Sequence, residues 1–319
     1  FPTPKNHAKT GWLTDLTAGL TLGILLIPQA MAYGMLAGVD PVYGLYAALL
    51  PMLVYALLAS TPHVSVGPTA LASLLCINGL AGLAEPFTPE YLGLAILLAG
   101  LTGVIQLAFG LLRLGGIGSL LSRPVLSGFV SAAAVLIIVS QLATLLGIEK
   151  TSSSSLNEKV LSFCKGIPDF HLPSALMGGG TLLLLFAAKR WLPSSFPTML
   201  VLLIGATALV GLAGKAWGIA TLETIPSGLP TFRLPVWEWA TITTLLPVAI
   251  VLALISFIET ISIGKAFDPN HNYYRVQPNR ELLALGMSKL AGTFLLAIPT
   301  SASFSRSAVV EGTGGKTAL

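Results

Sequence analysis

The chain has 319 residues, of which 54% are hydrophobic and only 9% charged. Soluble domains carry about 25% charged residues, so this composition excludes an ordinary water-soluble enzyme or binding module. The net charge of +4 comes without any basic cluster, which excludes a nucleic-acid surface.

A hydrocarbon core about 30 Å thick is crossed by about 20 apolar residues. Such stretches recur at 13–35, 41–60, 67–83, 91–112, 124–147, 172–188, 196–214, 242–264 and 281–298. They form one transmembrane domain, 13–319, after a polar N-terminal segment, 1–12, that shows no cleavable signal. In the first span Pro28 predicts a kink, and Gln29 and Tyr33 share one helix face. Gln29 is suited to donate to an anion or to a neighbouring helix, and Tyr33 to line a pocket or simply to pack. Asp40-Pro41 reads as a turn, and Tyr43 and Tyr46 as interfacial aromatics. The spacings Gly34/Gly38 and Gly214/Gly218 predict close helix approach.

The third segment is short and opens Ser65-Val66-Gly67-Pro68-Thr69-Ala70. A tenth opens Pro299-Thr300-Ser301-Ala302-Ser303-Phe304-Ser305-Arg306 and meets the chain end at Leu319 before it can cross, which predicts a fragment of a longer protein. Small, hydroxylated and proline residues of this kind start helices, with proline expected in the first turn. At bilayer depth such a start is tolerated only where it lines a protein cavity. The two segments are seven apart, as in halves related by an inverted repeat. Arg and Lys in the loops (Lys5, Lys9, Arg113, Arg123, Lys189, Arg190, Lys265, Arg275, Arg280) place the N-terminus in the cytoplasm.

Two helix starts that face each other make an anion site, because each exposes unpaired N–H groups and a positive dipole end. Arg306 lies in the first turn of the tenth segment, where a buried cation needs a counter-charge. That charge is either a substrate anion or a fixed carboxylate such as Glu259, unless Arg306 snorkels to the surface. Glu259, inside the eighth span, is suited to carry a proton, to bind a cation with Ser256 or Thr260, or to pair with Arg306. Gly312-Thr313-Gly314-Gly315-Lys316-Thr317 ends like a phosphate loop, but Val310 stands where the pattern needs glycine and no strand precedes it. Cys76, Cys164 and the scattered His7, His63, His171 and His271 predict neither a disulfide framework nor a metal site, and no cofactor is expected.

The runs Ile27-Pro28-Gln29-Ala30-Met31-Ala32-Tyr33-Gly34, Asp40-Pro41-Val42-Tyr43-Gly44-Leu45-Tyr46 and Val66-Gly67-Pro68-Thr69-Ala70 resemble the SulP sulfate permease family. Phe257-Ile258-Glu259, Ser303-Phe304-Ser305-Arg306-Ser307 and Glu311 to Thr317 are similar to its later motifs. The resemblance implies an all-α membrane fold of two inverted seven-segment repeats, with a core domain moving against a gate domain, here cut off in the tenth segment. It implies an anion held by Gln29, Tyr33, Pro68, Thr69, Ala70, Ser305 and Arg306, with Glu259 as the coupling residue. It further implies a homodimer in the cell membrane and a C-terminal STAS domain that lies outside this chain. The expected function is secondary transport of a small inorganic anion, sulfate first, coupled to a proton or, as the alternative, to sodium, through an elevator movement. Bicarbonate, chloride or a dicarboxylate comes second. A nucleobase permease shares the fold but has no use for Arg306.

Overall fold

The computed structural model describes residues 11–116, 161, 163–191, 198–214, 216–219, 228–233, 237–267 and 275–315, with part of 128–148. Ten helices are named here in chain order: α1 Gly11–Leu36, α2 Pro41–Ala47, α3 Leu50–Leu58, α4 Ala70–Gly79, α5 Pro89–Leu111, α6 Leu172–Trp191, α7 Thr198–Ala213, α8 Trp239–Phe267, α9 Pro278–Thr293 and α10 Phe304–Gly312. Two short strands, β1 Val66–Gly67 and β2 Ser301–Ala302, precede α4 and α10. By contacts the chain divides into two units, residues 1–122 with 226–319, and residues 123–225.

In the first unit, three stretches are long and apolar enough to cross a bilayer as single helices: Thr14–Leu36, Pro89–Leu111 and Trp239–Phe267. The stretch Pro41–Leu58 is equally apolar, but where one span is expected it forms α2 and α3. Pro51 explains the break: it has no N–H for the carbonyl of Ala47, and its ring would clash with that oxygen. The third expected span reduces to α4, whose ten residues rise only about 15 Å. Neither half-helix has proline in its first turn. Pro68 stands ahead of the capping residue Thr69, and Pro299 stands ahead of β2.

The ninth expected span, 281–298, is shifted to Pro278–Thr293. Pro278 sets its start, and the chain turns away near Leu296, whose φ is 59°. This helix is too polar to count among the apolar spans. It packs against α3, α5 and α8 and turns Glu281, Ser288 and Lys289 into protein rather than lipid. Its approach to α5 needs glycine, since a Cβ on Gly286 would lie 2.7 Å from the Leu107 nitrogen. The α1–α2 crossing is closer still: a Cβ on Gly44 would sit 2.0 Å from the Ala30 carbonyl oxygen. Gly34 belongs to that contact, 3.1 Å from the Gly44 nitrogen by the same measure.

Gly38 does not form a helix contact of the expected kind; it turns the chain after α1 at φ 84°. In the second unit Gly214 and Gly218 also depart from expectation. They follow the end of α7, and Gly218 adopts φ 64°, a left-handed turn that glycine allows without a Cβ clash. In that unit α6 and α7 pack on each other and expose Leu183, Phe186 and Leu212, as lipid-facing helices do. The expected span 124–147 falls mostly outside the described residues, as do residues 1–10 and the Lys316-Thr317 pair.

Candidate functional site

The two half-helices are brought together by their leading strands. Val66 pairs with Ala302 and Gly67 with Ser301, antiparallel. The ladder is extended by Ser303 N donating to Ser65 O at 3.0 Å, and by Ser65 N donating to Ser307 Oγ at 3.0 Å. The sheet is buried throughout, so its few backbone groups find partners without water. Each strand then runs into a capped helix. Thr69 Oγ1 accepts from Ala72 N at 3.3 Å and Ser303 Oγ from Arg306 N at 3.4 Å. Each first turn keeps further N–H groups without an intrahelical acceptor.

Arg306 is only 3% exposed. Its Nη1 donates to Pro68 O at 2.8 Å and its Nε to Ser65 Oγ at 3.3 Å, so both fixed partners are neutral. Its Nη2 is buried with no hydrogen-bond partner. Gly67 lies beneath the guanidinium, where a Cβ would be 3.4 Å from Nη2. Among the described residues no carboxylate forms an ion pair with Arg306. The guanidinium is therefore held in place by uncharged groups, and its Nη2 edge is buried without an acceptor.

Helix α1 packs on both half-helices, α4 and α10. Gln29 Nε2 donates to Tyr33 Oη at 3.1 Å, and both side chains are partly buried. Tyr33 also gives its carbonyl to Ser73 Oγ at 2.8 Å, which ties α1 to α4. Ala70 is partly exposed at the start of α4, and Ser305 is exposed with its Oγ 3.2 Å from Ser303 Oγ. The expected set Gln29, Tyr33, Pro68, Thr69, Ala70, Ser305 and Arg306 thus falls within one unit. Its members act differently: Pro68 offers a carbonyl to Arg306, Thr69 caps a helix, and Gln29 holds Tyr33.

Glu259 accepts a short hydrogen bond from Ser301 Oγ in β2, directly opposite Gly67. The two hydroxyls expected beside it have other partners. Thr260 Oγ1 donates back to Ser256 O at 2.7 Å, and Ser256 Oγ is taken by Gln106 and Lys289. Two further buried charges are not evident from the sequence pattern. Lys289 Nζ donates to Gln106 Oε1 at 2.8 Å and to Ser256 Oγ at 3.3 Å. Glu281 accepts from Tyr55 Oη and Ser60 Oγ at 2.5 Å each, from Ser60 N at 2.8 Å and from Thr61 Oγ1 at 3.2 Å. The signal available for both is a charge inside a stretch that otherwise reads as a span.

Broken helices whose starts meet at a buried site define a multi-span membrane carrier fold. The sulfate permease family model matches residues 12–319, and the chain belongs to that family, one of transporters rather than enzymes. It is 38% identical over 313 residues to the chloroplastic sulfate transporter 4.1 of Arabidopsis thaliana, covering 96% of this chain and 45% of that protein. Among solved structures it resembles the murine solute carrier 26 family member A9 anion transporter in its inward-facing state. That match has a TM-score of 0.87 and 27% identity, over 99% of this chain and 55% of the other. The transmembrane domain of the cyanobacterial bicarbonate transporter BicA matches with a TM-score of 0.80 at 24% identity, over 100% of this chain and 81% of that one, a likeness of fold alone. The chain spans about half the length of the curated relatives it matches.

Proposed function

We propose that the protein is a secondary active transporter of small inorganic anions, sulfate first, and that the anion binds between the starts of α4 and α10. The observation that carries this reading is Arg306: a buried guanidinium with neutral fixed partners and a free Nη2. A buried charge is stable only with a counter-charge, and a bound anion supplies one. Helix N-termini favour the same sign. The names of relatives such as sulfate transporter 4.1 support sulfate as the cargo.

Gln29 and Tyr33 line the site from α1, with Ala70 and Ser305 at the two helix starts and Pro68 and Thr69 shaping its floor. Glu259 carries the coupling proton, since it is the carboxylate beside β2 and lies within electrostatic reach of Arg306. The unit of residues 1–122 and 226–319 serves as the moving core, and 123–225 belongs to the gate of an elevator. The protein resides in the cell membrane with its N-terminus cytoplasmic and works as a homodimer.

The test is uptake of labelled sulfate by the full-length protein in a strain lacking its own sulfate permease. Arg306→Ala abolishes uptake while the protein still reaches the membrane. Uptake at the native rate in that variant overturns the site. Competition by uracil but not by sulfate overturns the substrate class.

A further inference from the structure

Lys289 has no role in the site as described, yet it is a fully buried cation between three helices. Its surroundings are arranged for an ammonium, which has donors only. Gln106 Nε2 donates to Ala253 O at 2.9 Å and to Ser256 Oγ at 2.7 Å, which turns the Oε1 acceptor toward Lys289. Ser256 Oγ donates to Ala253 O at 3.4 Å, which leaves its lone pairs to Gln106 and Lys289. Both contacts to Nζ are neutral acceptors, so the charge itself is not cancelled there. Glu259 is the nearby carboxylate, one helical turn from Ser256 on α8, and it bonds Ser301 of β2, whose partner Gly67 lies beneath the Arg306 guanidinium. On α3 and at the far end of α9, Tyr55 and Glu281 satisfy each other instead.

The charges can be summed. With Glu259 ionised, Lys289, Glu259 and Arg306 total +1, which balances a monovalent anion. With Glu259 protonated they total +2, which balances a divalent one. Without Lys289 the same two states total 0 and +1, and neither matches a divalent anion in a buried site. A tethered ammonium also occupies Ser256, the hydroxyl that a mobile cation beside Glu259 would use.

We propose that Lys289 is a specificity-determining residue, a built-in cation that biases the carrier toward divalent over monovalent anions. This rests on the reading of Arg306 as the anion site. Taking the charge to act across about 10 Å at an effective dielectric of about 20, a unit charge changes affinity about tenfold per unit of anion charge. Neutralising Lys289 therefore lowers sulfate transport about tenfold more than chloride transport.

The experiment measures kcat/KM for labelled sulfate and for chloride with the full-length protein in liposomes. Lys289→Gln is expected to reduce the sulfate-to-chloride ratio about tenfold, while Lys289→Arg keeps it. Gln106→Glu, which leaves Lys289 in place but sets a carboxylate against it, is expected to shift the ratio the same way. This variant carries the test if Lys289→Gln does not fold. An unchanged ratio in a folded Lys289→Gln or Gln106→Glu protein overturns the proposal, whatever happens to thermal stability, and makes Lys289 a structural pin. Arg306→Ala in the same liposomes separates the two readings: if both anions still move at native rates, the anion site is wrong, independently of the Lys289 ratio.

Discussion

Replacing Glu281 tests how the site is held in place. Its carboxylate takes hydrogen bonds from Tyr55, from the backbone and side chain of Ser60, and from Thr61, and it is 0% exposed. These residues end α3 and begin the segment that leads into β1, which carries Ser65 and Pro68 to Arg306. In Glu281→Ala the Ser60 N–H and at least one hydroxyl lose their acceptor inside the protein. Each stranded donor costs about 1–3 kcal/mol, so the loss is about 4 kcal/mol. Glu281→Gln keeps one acceptor, and Tyr55 can turn to accept from the new amide, so the loss is about half as large. At roughly 2–4 °C per kcal/mol for a large domain, apparent Tm falls by roughly 8–16 °C in the alanine variant. The assay is thermal unfolding in detergent followed by monodisperse peak height, with sulfate uptake per folded molecule measured alongside. Uptake falls too, because β1 loses its anchor. The reasoning is refuted if both variants melt within about 2 °C of the native protein.

Two further outcomes are expected. Glu259→Gln holds the side chain in its uncharged form, so sulfate uptake that rises with acidity in the native protein becomes flat with pH; the same pH profile in both proteins removes Glu259 from coupling. Gly44→Ala forces a Cβ to within 2.0 Å of the Ala30 carbonyl and pushes α2 off α1 beside Gln29. Overpacking of this kind costs about 1–3 kcal/mol or more. Loss of the monodisperse peak or of about 5 °C in Tm is therefore expected, with Gly34→Ala milder, and unchanged melting of Gly44→Ala contradicts the close crossing.

Much of the outline was legible because membrane spans are written locally. A run such as 91–112 or 242–264 needs no partner to declare itself, since lipid demands apolar side chains and internal backbone bonding. The helix starts were legible for a similar reason: Thr69 and Ser303 cap the turns they begin. The break at Pro51 was available in the sequence but hidden inside an apolar run. The polarity of α9 was hidden by its length, which looks like a span although its charged residues face protein.

By its own sequence this protein is a multi-span membrane chain with two interrupted segments, an intramembrane Arg306 and the motifs of a sulfate permease. Its tertiary structure decided which groups meet. The β1–β2 pair, the carbonyl of Pro68 on Arg306, and the Gln106–Ser256–Lys289 cluster join residues far apart in the chain, up to 238 positions for Arg306 and Pro68. Local periodicity says which face of a helix is apolar; it does not say which polar group on another helix answers a buried charge. A hydrogen bond forms only within about 3 Å, so the partners of Arg306, Lys289 and Glu281 exist only once the helices have come together.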